Sequence, residues 1–139
     1  MNATSSHGER PLGMSLGSDE LQALYLAGHT LFDQGNFQQA ADVFRFTVLM
    51  EPLFAEAWQG LGRCHDEVGD AEAAALVYET GFRLGGNDPT LGYLSARALM
   101  QNGEKSEARE RLEELAELDL EPHLAAGVAA LQQILGVAS

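Results

Sequence analysis

The sequence predicts an all-α fold built from repeated helical hairpins, and three observations lead to this prediction. Alanine, leucine, glycine and glutamate dominate the composition while β-branched residues are scarce, which favours helices over strands. The chain also aligns with itself when it is shifted by 34 positions, and a single period of this length is typical of stacked helical units. Finally, 139 residues are enough to bury a core without a disulfide or a metal ion.

Four columns of equivalent residues carry the repeat. They comprise Gly35, Gly69 and Gly103; Ala40, Ala74 and Ala108; Phe44, Tyr78 and Leu112; and Gly28, Gly62 and Ala96. The first column lies where one helical pattern stops and the next begins, which suits a left-handed residue at a helix end. Small residues let the two helices of a hairpin approach closely, and the bulky column fills the space towards the neighbouring hairpin. A period of 34 residues is that of the tetratricopeptide repeat, so the sequence predicts three tandem repeats in a right-handed superhelical α-solenoid.

Helix boundaries follow from the apolar periodicity and from capping residues. The helices of the three repeats are predicted over residues 19–33, 37–50, 54–68, 71–84, 89–102 and 105–118. Ser18 is the predicted N-cap of the first helix, and Asp88 followed by Pro89 is predicted to open the fifth. A seventh amphipathic helix is predicted to end at Gly136. Its apolar residues recur at helical spacing and are Leu124, Val128, Leu131 and Leu135.

These elements divide the chain into two parts. Residues 1–17, rich in glycine and serine, are predicted to be a flexible N-terminal arm, and residues 18–139 form the repeat domain. The repeats are predicted at about residues 21–54, 55–88 and 89–122. The seventh helix, at about residues 123–135, is predicted to cap the last apolar face of the stack.

The charge balance narrows the choice of partners. The formal net charge is -13, and no basic patch is present to neutralise phosphates, so neither nucleic acid nor an anionic membrane surface is an expected partner. The chain contains no apolar run of membrane-spanning length and no secretory signal pattern, and its one cysteine is consistent with a reducing compartment. A cytoplasmic protein is expected. The acidic run from Glu104 to Glu121 is interpreted as the solvated face of one helix, with a partner-binding surface as the alternative.

A peptide-binding groove is predicted on the concave side of the stack, which the first helix of each hairpin lines. Residues spaced by four and then three share a helix face, and equivalent positions in the three repeats define the candidate site. These residues are Tyr25, His29, Phe32, Gln59, Arg63, Asp66, Tyr93, Arg97 and Met100. Aromatic and methionine side chains would contact apolar groups, while the polar members would bond the backbone of an extended segment. The alternative for Phe32 and Met100 is that they only pack between repeats.

The sequence gives little support to catalysis or metal binding. His29 and His65 lie in neighbouring repeats, but no acidic partner recurs at the spacing of metal ligands. Cys64 follows a predicted core glycine on the same helix and is interpreted as a buried small hydrophobic residue rather than a nucleophile. No phosphate-binding glycine loop and no nucleophile elbow are present. Neither an enzyme nor a cofactor is therefore expected.

Two segments resemble a known family. The stretch Phe44-Arg-Phe-Thr-Val-Leu-Met-Glu-Pro52, followed by Ala57-Trp-Gln-Gly-Leu-Gly-Arg-Cys64, is similar to the middle of the class II type III secretion chaperones. The residues Asn87-Asp-Pro89, followed by Tyr93-Leu-Ser-Ala-Arg-Ala-Leu-Met-Gln-Asn-Gly103, resemble the opening of that family's third repeat. The similarity spans about residues 20 to 120. It departs at Arg97-Ala98, where the family often has Glu-Cys.

The resemblance implies a chaperone of the bacterial cytoplasm. Such a protein would hold an extended Pro-x-Leu-x-x-Pro-like segment of a hydrophobic translocator in its groove and keep it soluble before export. Tyr25, Phe32 and Tyr93 would be the apolar contacts, and the region before residue 35 would be the candidate surface of a homodimer. Two other interaction functions stay open: a general tetratricopeptide adaptor, and a chaperone for another export substrate such as a needle subunit.

The type of adaptor that clamps acidic C-terminal tails is disfavoured. It needs lysine and asparagine in the groove to hold a carboxylate. Those positions here are occupied by Tyr25, His29, Gly60, Thr90 and Leu94.

Overall fold

The computed structural model describes residues 16–138, and this part of the chain contains seven α-helices and no β-strand. The helices are α1 (Ser18–Asp33), α2 (Phe37–Met50), α3 (Ala55–Glu67), α4 (Ala71–Leu84), α5 (Pro89–Gln101), α6 (Lys105–Ala116) and α7 (Pro122–Ala138). The predicted all-α fold is confirmed, and each predicted helix is present with ends that differ by a few residues at most. The proposed arm falls almost wholly outside the described residues.

The helices pair into three consecutive hairpins. Helices α1 and α2, α3 and α4, and α5 and α6 pack against each other, and the second helix of each hairpin also packs on the helix that follows it. The first helices touch in the order α1, α3, α5, and α7 packs on both α5 and α6. Each hairpin therefore contacts only its neighbours, which is the arrangement of a tetratricopeptide stack closed by a terminal helix.

The bulky column of the repeat packs against bare backbone. Phe44 of α2 is fully buried, and a Cβ atom added at Gly28 of α1 or at Gly60 of α3 would lie 2.6 Å from its ring. Tyr78 of α4 is likewise fully buried and packs on Gly62 of α3. The prediction that small residues permit close helix contacts is thereby confirmed, since a side chain in place of these glycines would push the helices apart.

Three identical turns end the first helix of each hairpin. Gly35, Gly69 and Gly103 have φ values of 80°, 79° and 80°, in the left-handed region that glycine tolerates without strain. The N–H of the residue after each glycine donates to a carbonyl five residues earlier, at 2.9, 2.9 and 2.8 Å. This is the hydrogen bond of a Schellman turn, so the glycine column acts as predicted.

Two predicted helix ends are wrong. Ser18 is the first residue of α1 rather than its N-cap, because Glu20 reaches back and accepts a hydrogen bond from the Gly17 N–H at 2.7 Å, which caps the helix instead. Helix α7 does not end at Gly136 but continues to Ala138, since Gly136 does not take a positive φ. The predicted opening of α5 is confirmed, because the Asp88 carboxylate accepts a hydrogen bond from the Leu91 N–H at 3.1 Å.

The interpretation of the acidic run as one solvated helix face is also wrong in part. Helix α6 ends at Ala116, and Arg111, within the run, is 8% exposed. Its guanidinium donates to the carboxylates of Glu79 on α4 and Glu114 on α6, and Glu79 also accepts a hydrogen bond from Ser95 on α5 at 2.7 Å. The run therefore contributes a buried cation that joins the second and third hairpins.

A candidate peptide-binding groove

The nine predicted groove residues lie on the three helices that open the hairpins, three on each of α1, α3 and α5. Eight of the nine are partly buried, and Arg63 is exposed. The four apolar members, Tyr25, Phe32, Tyr93 and Met100, each pack against the hydrophobic core with part of the side chain left accessible. The interpretation that Phe32 and Met100 pack between repeats thus holds for their inner surfaces.

An aromatic cluster forms the α1 end of this face. The Tyr25 ring centroid lies 4.6 Å from that of His29 in an edge-to-face arrangement and 5.3 Å from that of Phe54. Burial raises the pKa of Tyr25, the nearby Glu56 carboxylate raises it further, and Arg63 opposes both. The hydroxyl therefore stays neutral and can donate or accept a hydrogen bond. Sequence reasoning missed Phe54, which precedes α3 and was assigned to the helix itself.

Phe32 links the first two hairpins. Its ring centroid lies 5.1 Å from that of Phe37 on α2, and the guanidinium carbon of Arg63 on α3 lies 4.7 Å from the same ring centroid. The contact between a cation and the face of an aromatic ring is attractive. Arg63 of α3 therefore lies over a ring of α1 while remaining exposed.

Asp66 links the second and third hairpins. Its carboxylate accepts a hydrogen bond from the Tyr78 hydroxyl at 2.7 Å and lies 3.6 Å from the Arg97 guanidinium. Burial, followed by the hydrogen bond to Asp66, raises the pKa of Tyr78 far above its usual value, so the phenol remains a donor. Asp66 thus positions Arg97 on α5 from the neighbouring helix, a role that the sequence spacing did not indicate.

Helix α7 extends this face beyond the third repeat. A Cβ atom added at Gly127 would lie 3.0 Å from the Tyr93 ring, and Gly127 stands 34 residues after Tyr93. Helix α7 therefore occupies the place of the first helix of a fourth hairpin. Leu131 and Ile134 hold the positions equivalent to Arg97 and Met100, and Ile134 is 56% exposed. Continuing the 34-residue shift past residue 122 would have revealed this equivalence.

Three further features of the described residues concern a metal site, a reactive thiol and a membrane-spanning helix. Between residues 16 and 138 no three histidine, cysteine or acidic side chains lie close enough to hold a metal ion. Cys64 is buried, and burial raises the pKa of its thiol to about 11, so the reactive thiolate is rare near neutral pH. No helix within the same range is both long and apolar enough to cross a membrane.

The sequence is similar to that of known tetratricopeptide proteins over part of its length. The family model described as tetratricopeptide repeat matches residues 25–89. The low calcium response locus protein H of Yersinia pestis is 27% identical over 97 residues, which cover 70% of this chain and 58% of that protein. The matched region thus spans little more than half the length of this curated relative.

Solved structures share most of this arrangement of helices. The Yersinia enterocolitica type III secretion chaperone SycD, in complex with a peptide of the translocator YopD, superposes with a TM-score of 0.76 at 24% identity, covering 88% of this chain and 96% of that one. The chain has the fold of these chaperones. PcrH of Pseudomonas aeruginosa, solved with the chaperone binding region of PopB, gives a TM-score of 0.72 at 25% identity, covering 84% of this chain and 97% of the other. The similarity to type III secretion chaperones that the sequence indicated is therefore confirmed.

Proposed function

We propose that the protein is a cytoplasmic chaperone of a bacterial type III secretion system. It holds an extended segment of a hydrophobic translocator on the face formed by α1, α3 and α5 and keeps that protein soluble before export. The observation that carries the proposal is the accessible set of aromatic rings, arginines and polar groups on the first helices of the three hairpins. Two chaperones with the same fold, SycD and PcrH, are solved with segments of translocators.

The chemistry of this face suits an extended peptide. Tyr25, Phe32 and Tyr93 present rings whose inner edges are fixed by the core, so binding costs little side-chain entropy. His29 on α1 and Gln59 on α3 are partly buried and can supply hydrogen-bonding groups for a peptide backbone. Alternating apolar pockets and main-chain hydrogen bonds are the features by which extended segments are recognised.

Replacing two of the rings tests this assignment. The variant with Tyr25→Ala and Tyr93→Ala should bind proline-containing translocator peptides about 30- to 100-fold more weakly, because each aromatic contact contributes about 1–1.4 kcal/mol. Fluorescence anisotropy titration of a labelled peptide measures the dissociation constant. Circular dichroism must show unchanged helicity, and Tyr25→Leu with Tyr93→Leu serves as a milder variant if it does not.

A matched control uses exposed residues away from this face. Leu76 and Leu84 of α4 are 68% and 52% exposed, and replacing both by alanine should leave peptide affinity unchanged. Equal binding by the tyrosine variant and the control would rule out the groove. Co-expression separates the remaining functions: rescue of a needle subunit instead of a translocator would favour the other export substrate, and rescue of neither would favour a general adaptor.

The first helix also presents a face suited to a second copy of the chain. Ala23, Ala27 and Thr30 are exposed, whereas their equivalents in the second repeat, Ala57, Leu61 and Cys64, are buried. In the second repeat that face packs against the preceding helix α2, and α1 has no such neighbour within the described residues. We propose that a partner protomer covers it, and one SycD structure is described as an alternative dimer.

Light scattering tests the dimer. A mass of two chains is expected at high protein concentration, and Ala27→Glu should reduce it to that of one chain because a charge would be buried in the contact. Ala126→Glu, at an exposed position of α7, should leave the mass unchanged. A monomeric wild-type protein at every concentration would exclude this assignment.

A further inference from the structure

Arg63 differs from the other arginines in the part of the chain that the structure describes. The others each have an oxygen partner: Arg45 with Asp42, Arg83 with Glu79 and Glu114, Arg97 with Asp66, Arg109 with the Leu135 carbonyl, and Arg111 with Glu79 and Glu114. Arg63 has no carboxylate within ion-pair distance among residues 16–138 and faces the Phe32 ring instead. In a protein with a net charge of -13, Arg63 is thus an exposed arginine that no carboxylate of the described residues approaches within ion-pair distance, although Asp66 and Glu67 follow it on the same helix.

The setting of Arg63 fixes what it can bind. Its guanidinium carbon lies 4.7 Å from the Phe32 ring centroid, and because the side chain is exposed and forms no ion pair among residues 16–138, the N–H edges of the guanidinium are available to a ligand. Those edges match the two oxygens of a carboxylate, which they can bind with two parallel hydrogen bonds. Because Arg63 stands on α3, between the α1 and α5 residues of the proposed groove, a bound segment must pass beside it.

The other charges on this face define where such a carboxylate would lie. Glu56 stands two helical turns before Arg63 on α3 and raises the pKa of Tyr25, so an acid near Tyr25 is repelled. Arg97 is already held by Asp66 at 3.6 Å, which offsets much of its charge. The favourable position for an acidic group is therefore beside Phe32 and Arg63, away from Tyr25.

We propose that Arg63 selects segments that carry an acidic side chain, whose carboxylate it binds at the centre of the groove. This inference rests on the proposed function. It adds the requirement for one acidic side chain in the bound segment to recognition by apolar contacts and main-chain hydrogen bonds. Because the chain as a whole is acidic, it repels an acidic peptide at long range and attracts its carboxylate only at Arg63. The contact therefore contributes more to selectivity between peptides than to affinity.

The proposal is tested by measuring the binding of paired glutamate and glutamine peptides to wild type and to Arg63→Gln. The probes are C-terminally amidated peptides of the Pro-x-Leu-x-x-Pro type with glutamate or glutamine at each variable position in turn. At one position the glutamate peptide should bind wild type about five- to tenfold more tightly than the glutamine peptide. In Arg63→Gln this preference should disappear, and in wild type it should shrink as salt is raised. Arg45→Gln, which alters an exposed arginine paired with Asp42, should keep the preference.

The outcomes separate this proposal from the function on which it rests. Equal binding of every glutamate and glutamine pair by wild type, or a preference that persists in Arg63→Gln, would overturn the role of Arg63 while leaving the groove intact. The same peptides are also made with a free C-terminal carboxylate. If only this free carboxylate tightens binding, and no glutamate side chain does, Arg63 binds a chain end and the side-chain assignment is overturned. Failure of every peptide to bind wild type would overturn the proposed function and this inference together.

Discussion

Gly62→Ala should lower the free energy of unfolding by about 2–3 kcal/mol, a large effect for the addition of one methyl group. The new Cβ atom would overlap the Tyr78 ring. That ring is fully buried, and its hydroxyl is held by a 2.7 Å hydrogen bond to Asp66, so it has no room to move aside. Helices α3 and α4 must therefore separate, and urea unfolding followed by circular dichroism measures the loss.

Gly136→Ala is the matched control. Gly136 also lies within a helix, but a Cβ atom there would meet nothing within 4 Å. The same substitution should therefore stabilise the protein by about 0.5–1 kcal/mol, the helix preference of alanine over glycine. Opposite signs at the two sites attribute the Gly62 effect to packing, whereas a loss at both sites would contradict that attribution.

The third repeat suggests a rescue of Gly62→Ala. It has Ala96 and Leu112 at the positions where the second repeat has Gly62 and Tyr78. Adding Tyr78→Leu to Gly62→Ala should therefore cost less than the sum of the two single changes, by at least about 1 kcal/mol. Strictly additive losses would show that the two residues do not compete for space.

The repeat explains why so much of the fold was predictable. Equivalent positions 34 residues apart carry the same packing task, so the glycines at 35, 69 and 103 and the rings at 44 and 78 could be assigned to turns and core before the structure was known. The nine candidate groove residues lie on the first helices of the three hairpins for the same reason. The helix face on which each residue lies follows from its spacing along the chain, because residues three or four apart share a face.

The contacts that were not predicted are made between helices by side chains that differ from one repeat to the next. Asp66 has Phe32 and Met100 as its equivalents, so the periodicity gave no indication of its hydrogen bond to Tyr78. Arg111 lies among acids in the sequence, but its partner Glu79 comes from α4 in the preceding hairpin. Such pairs depend on the helix-to-helix geometry, and one sequence does not specify that geometry.

Arg111→Met should cost about 2–3 kcal/mol of unfolding free energy near neutral pH. The substitution removes the cation that joins Glu79 and Glu114 and leaves two carboxylates close together with only Arg83 between them. Breaking a fully buried ion pair costs about 3–5 kcal/mol, and the smaller value expected here reflects the partial exposure of both glutamates. Arg45→Met, which breaks an exposed pair with Asp42, should cost under about 0.5 kcal/mol in the same urea titration.

The cost of Arg111→Met should shrink in acid. Burial alone would raise the pKa of Glu79, but hydrogen bonds from Arg111 and Ser95 hold it below its usual value, and those from Arg83 and Arg111 do the same for Glu114. A carboxylate with a lowered folded-state pKa adds stability above its unfolded pKa, and that stability is lost as the pH falls through the folded value. Wild type therefore loses this contribution below about pH 4, whereas the variant has less of it to lose. An undiminished penalty at about pH 3.5 would mean that Arg111 acts through the contact of its guanidinium with the Phe82 ring and not through its ion pairs with the two glutamates.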